Sequence, residues 1–150
     1  ICPMAKKSDR LHHLIPVFVE FIPERLEPGC LYVSMEYGAV AHLCACGCES
    51  KVNTPLTPTD WSLKYDGEAV TLSPSIGNWS RPCRSHYFIT ANRVRWAAAW
   101  SEEKIRQGRA LDRETKRQHY MDGKDENTKT ADDSLKESTW LSVALAWFRE

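Results

Sequence analysis

"AVAHLCACGCESKV", residues 39–52, sets three of the chain's six cysteines at alternate positions, with a glycine before the last. Side chains at i, i+2 and i+4 of a straight strand share one face but stand roughly 6–7 Å apart along it. Thiolates around one tetrahedral zinc ion, each about 2.3 Å from the metal, lie only about 3.8 Å from one another. Cys44, Cys46 and Cys48 therefore meet at a metal only where the chain bends, and Gly47 tolerates the backbone angles such a bend needs. A disulfide between cysteines two residues apart rarely reaches the required geometry without strain. The other reading is a buried cluster of unligated thiols.

A closed zinc site needs a fourth ligand. "RPCRSHYF", 81–88, offers Cys83 and His86. Two compositions follow: Cys44, Cys46, Cys48 and Cys83 together, or His86 in place of one of the outer cysteines. Sites of four thiolates, or of three and one imidazole, normally lack the open position that a catalytic zinc keeps for water, so the metal is expected as scaffold. The cytidine-deaminase arrangement is excluded. Its His-x-Glu half is missing, since His42 is followed by Leu43 and Cys44, and so is the second cysteine of its Pro-Cys half. Cys2 and Cys30 are isolated in sequence and read as a terminal and a small buried residue.

The wider composition agrees with one ordinary folded domain. There are 150 residues, 42% hydrophobic and 27% charged, and 20 basic residues balance 20 acidic ones. No net field draws the molecule to nucleic acid or to a membrane surface. No apolar run approaches the roughly 18 residues that span a bilayer. The opening "ICPMAKKSDR" lacks the apolar stretch of a signal peptide and reads as a trimmed terminus. Clustered cysteines in a chain able to bury a core point to a reduced, cytoplasmic protein rather than a disulfide scaffold.

The first 97 residues read as β and the last 50 as α. "LIPVFVEFI" (14–22), "CLYVSM" (30–35), "AVAHLC" (39–44) and "KVNT" (51–54) are short runs rich in β-branched and aromatic residues. "WSLKYDGEAVTL" (61–72) is two alternating runs about Asp66-Gly67, and "HYFIT" with "RVRWA" (86–97) forms a second pair about Ala91-Asn92, both expected as hairpins. "TLSPSIGNWSRPC" (71–83) is too rich in Pro, Ser and Gly for a strand throughout and is expected as a loop. From Ser101, a helix cap, "EEKIRQGRALDRETKRQHYM" predicts a solvated helix whose charges pair locally. "DGKDENTKTADD" reads as a linker, and "SLKESTWLSVALAWFR" (134–149) as a second, amphipathic helix.

The 71–83 segment also carries hydroxyls. A serine becomes nucleophilic when a base takes its proton, and histidine is the usual base near pH 7. Ser85 and His86 are adjacent, so on a strand they point to opposite faces. Ser75, eleven residues upstream of His86, is the better geometric partner. Glu36, Asp60 and His42 are candidate orienting groups, and main-chain N–H groups near Gly77 and Asn78 candidate oxyanion donors. A His86 bound to zinc could not serve as base, so its assignment separates a hydrolase from a passive module.

The Cys-x-Cys-Gly-Cys at 44–48, Pro-Ser-Ile at 74–76 and Cys-x-Ser-His at 83–86 together resemble a small bacterial family encoded beside multi-ubiquitin-like proteins and their activating and conjugating enzymes. The resemblance covers roughly residues 14–97. It implies a serine-type deconjugating protease that removes or processes the ubiquitin-like modifier. It also implies Cys44, Cys46, Cys48 and Cys83 as the metal-binding pattern, with Ser75, Ser85 and His86 at the remaining polar positions. Glu49 departs from it, since the family often has a second glycine there.

The expectations are then as follows. The fold is α+β: a small antiparallel β core stapled by one structural zinc over residues 1–100, followed by two C-terminal helices over 101–150. The function is that of a peptidase or isopeptidase acting on a ubiquitin-like protein's C-terminal tail or its conjugates. Ser75 is the first choice of nucleophile, Ser85 the second, and His86 the base. The conjugating enzyme is a further possible partner. The alternatives are a non-catalytic zinc-binding adaptor of the conjugation machinery and a zinc metallopeptidase.

Overall fold

The computed structural model describes residues 10–122. They fall into two units, divided after Ile105. The first holds two four-stranded sheets. One contains β1 (Ile15–Phe18), β2 (Cys30–Ser34), β3 (Ala39–Leu43) and β4 (Lys51–Pro55) in that order. The other contains β5 (Ser62–Tyr65), β6 (Val70–Gly77), β7 (His86–Thr90) and β8 (Arg93–Trp96). Residues 102–122 are helical. The β-rich reading therefore holds, with one helix among the described residues. The second expected helix, 134–149, and Cys2 lie outside them. No helix among the described residues is long and apolar enough to cross a membrane.

The core lies between the sheets. Leu31, Val33, Val40 and Val52 from the first meet Val70, Leu72, Ile76, Tyr87, Ile89 and Val94 from the second, all buried. β2 is buried along its whole length, because its other face packs Cys30 and Tyr32 against Leu26 and Ala41. Cys30, expected as an isolated thiol, is fully buried and disulfide-bonded.

Three expectations are corrected. The first sheet is not wholly antiparallel. β1 pairs parallel with β2, Ile15↔Cys30 through Phe18↔Val33, because the chain over 19–29 crosses back before re-entering the sheet. The Asp66-Gly67 hairpin closes over four residues rather than two. Its last pair is Tyr65↔Val70, and Asp66 Oδ1 accepts the N–H groups of Glu68 and Ala69 at 3.0 and 2.8 Å, a side-chain cap that favours the longer loop. Finally, 71–77 is strand and not loop. Pro74 is accommodated because it lies beyond the last β5 pair, Ser62↔Ser73, and inside an irregular stretch of the β6–β7 ladder, where no N–H is required of it. The Ala91-Asn92 hairpin is the tight turn expected: both residues have positive φ, 48° and 63°, between the pair Thr90↔Arg93.

One polar contact crosses the core. His42 stands opposite Leu31 and Val52 and so faces inward. Its Nε2 lies 2.8 Å from the Tyr87 hydroxyl on the second sheet, in a hydrogen bond with both side chains fully buried. Burial lowers the His42 pKa to about 4, so the ring is neutral at pH 7. Ser101 caps the helix as expected, accepting the Lys104 N–H at 3.3 Å. Further along, Lys116–Asp112 and Arg117–Glu114 ion pairs give the exposed helix its local charge pairing.

Tyr87→Phe leaves the His42 ring buried without its hydroxyl partner. The expected cost is about 1–3 kcal/mol, read as a lower denaturant midpoint.

Candidate active site and metal centre

The β6–β7 ladder builds the site. Leu72 pairs with Ile89 and Ile76 with Tyr87, so β6 advances four residues while β7 moves two. The surplus chain, Ser73 to Ser75, bulges out and re-aims the side chain at its end. Beyond the bulge Gly77 pairs with His86. Alternation puts Ser75 on the face of Gly77, and hence on the face of His86. His86 Nε2 and Ser75 Oγ lie 3.0 Å apart.

The other ring nitrogen settles the tautomer. His86 Nδ1 lies 2.8 Å from the main-chain oxygen of Ala98, which can only accept, so Nδ1 donates. In the neutral ring Nε2 then carries the lone pair, which faces the Ser75 hydroxyl. His86 is 6% exposed and Ser75 half-buried. The imidazole is walled by aromatic rings, with centroids of Trp79, Trp100 and Phe88 at 4.9, 5.3 and 5.9 Å. Trp79 and Trp100 stack on each other at 5.5 Å. Gly77 makes that wall possible: a Cβ there would collide with the Trp79 indole nitrogen. A pocket of about 370 Å³ runs alongside, lined by Gly77, Asn78, Trp79, Ser80 and Arg81.

Ser85 faces the other way, as alternation requires. Its hydroxyl lies 3.1 Å from Cys44 Sγ and accepts from Asn78 Nδ2 at 2.8 Å. Asn78 Nδ2 also lies 3.5 Å from Cys44 Sγ. Cys44, Cys46, Cys48 and Cys83 bring their sulfurs within 4.8 Å of one another, and His86 is not part of the group. The bend within 44–48 comes at Gly47, φ 86°, and Glu49, just past the last of these thiols, also has positive φ, 57°. Glu49 thus adopts the left-handed conformation at the position where the resemblance expects glycine.

Burial raises the Cys44 and Cys46 thiols. Burial also opposes ionisation of Cys48, but hydrogen bonds, with Ser50 foremost, outweigh it and bring Cys48 down to about 6. Four converging thiols, one already inclined to ionise, suit a metal ion, which would draw off the remaining protons. An ion held by these four thiolates would crosslink the 44–48 turn to the segment just before β7.

Other candidates are placed elsewhere. The Asp60 carboxylate accepts the Thr57 hydroxyl at 2.6 Å, His42 is in the core, and Glu36 is exposed in the β2–β3 turn. The Asn78 N–H donates to the Ser85 carbonyl at 2.9 Å and is not available to an oxyanion. The sequence reading missed Ala98, Trp79 and Trp100. Ala98 contributes a main-chain carbonyl, which no residue type announces, whereas a tryptophan immediately after Gly77-Asn78 was a visible signal.

Ser85→Ala removes a hydroxyl beside Cys44 and is expected to weaken metal retention on the order of 10–100-fold, measured by competition with a chromophoric chelator.

The family model described as "Bacterial ubiquitination-like system serine protease (BubE)" matches residues 18–97, just over half of the chain. No curated protein and no solved structure matches it. The matched span contains the four cysteines, the Ser75–His86 pair and the ladder that joins them. The chain belongs to the family of serine proteases of bacterial ubiquitination-like systems.

Proposed function

We propose that this protein is a serine-type peptidase or isopeptidase that releases or processes a ubiquitin-like protein at its C-terminal tail, with Ser75 as nucleophile and His86 as general base. The observation that supports it is the 3.0 Å contact between Ser75 Oγ and Nε2 of a ring whose other nitrogen is already committed to a main-chain carbonyl. Ser75 Oγ attacks the scissile carbonyl carbon as its proton passes to Nε2. The tetrahedral intermediate then collapses, the amine leaves with that proton, and a serine ester of the tail remains. Water, deprotonated by the same nitrogen, hydrolyses the ester and restores the hydroxyl.

The tail enters as an added strand. β5 leaves β6 at Ser73, so the main chain of Pro74–Gly77 has β7 on one side and no strand on the other among the described residues. An extended peptide laid along that edge pairs its backbone beside Ser75 and reaches the Gly77–Arg81 pocket. The metal is zinc, held by Cys44, Cys46, Cys48 and Cys83 as a structural ion, with Ser85 supporting it rather than attacking substrate.

Ser75→Ala and His86→Ala are each expected to lower cleavage of a modifier fused through its tail to a reporter by at least on the order of 10³-fold. Retained cleavage in both would remove the assignment. A chain that binds the modifier but cleaves nothing, wild type included, would be an adaptor.

A further inference from the structure

Among the described residues His86 has no carboxylate partner, yet its ring is held at both nitrogens. Ala98 O fixes the tautomer. What holds Ala98 there is the chain that follows β8. The Ala97 N–H donates to the His86 carbonyl at 2.9 Å, which carries the β7–β8 ladder one step past Tyr87↔Trp96. The next residues turn so that the Ala98 carbonyl meets Nδ1 and the Trp100 ring stands edge to face against the imidazole at 5.3 Å.

Trp100 is itself held on several sides. Its ring stacks on Trp79, which rests in the space that Gly77 leaves open. The Lys104 ammonium lies over it at 4.7 Å from the centroid. One residue on, Ser101 caps the helix, Ile105 is buried, and Glu102 pairs with Arg84 at 2.6 Å, tying the helix start to the segment that leads into β7.

We infer that Trp100 is a positioning residue of the Ser75–His86 pair: by packing on the imidazole it keeps the Ala98 carbonyl on Nδ1 and Nε2 on the serine hydroxyl. This rests on the reading of Ser75 as nucleophile. The orienting element then lies at 98–100, beyond the span 18–97 that the family model matches. A main-chain carbonyl cannot be removed by changing its own side chain, so its position is controlled through Trp100. Loss of the ring lets the strap shift and the imidazole rotate. Misplacement of a catalytic group by about 1 Å costs on the order of 100-fold in rate.

The test measures activation of Ser75 without any substrate contact, as the rate at which a small fluorophosphonate labels it in the full chain. Wild-type protein is labelled at Ser75. Trp100→Ala is expected to slow labelling on the order of 10–100-fold, with metal content retained, and Trp100→Phe, which restores a ring face, to recover most of the rate. Should the alanine variant fail to fold, Trp100→Leu, apolar and of fair size, replaces it with the same expected loss. Labelling of the alanine or leucine variant at the wild-type rate overturns the inference, as does a phenylalanine variant as slow as alanine. Absence of label at Ser75 in wild-type protein overturns the nucleophile assignment, and this inference with it.

Discussion

The site depends on the offset pairing of β6 with β7. Between Leu72 and Ile76 the first strand spends two residues more than the second, and the ladder then resumes with Gly77 against His86. Because the displacement is of two residues, it keeps Ser75 on the face of His86 and sets it diagonally across the ladder, still within hydrogen-bond reach. It also sets a residue without a side chain opposite the histidine, where the Trp79 indole can lie close. A regular ladder continued from Leu72↔Ile89 would set Ser75, rather than Gly77, directly opposite His86.

Strand alternation divides the labour on the other side. Ser85 and His86 are neighbours in sequence and point to opposite faces, so one supports the sulfur cluster while the other meets Ser75. The cluster joins the turn after β3 to the segment before β7, and the Asn78 side chain extends the same network to the residue just past β6. Both strands of the serine–histidine pair thus lead directly into a region tied down by sulfur contacts. A metal ion held by the four thiols would tie these ends together without any part in bond cleavage.

The core beneath is mostly apolar, and the buried contact between His42 and Tyr87 crosses it. An imidazole held neutral by burial joins one sheet to the other, and its direction is dictated by the residues opposite it, Leu31 and Val52. The hydroxyl it meets belongs to the residue that follows His86. Packing between the sheets and the placement of His86 therefore share one strand.

Much of this was legible in the residues. Alternating apolar runs, the Ala91-Asn92 turn and the Ser101 cap are local features, and local chemistry suffices to specify them. So does the need for a bend among Cys44, Cys46 and Cys48, which follows from the mismatch between strand spacing and sulfur spacing. Adjacency alone told that Ser85 and His86 face apart. Tertiary structure decided the rest. The parallel pairing of β1 with β2 depends on how the chain over 19–29 crosses, and the extension of β6 through Pro74 depends on where β5 stops and β7 begins. The freedom of His86 from the sulfur cluster, and its alignment by the Ala98 carbonyl, arise from groups brought together across the sheet. A carbonyl belongs to every residue, so only the course of the backbone could select this one.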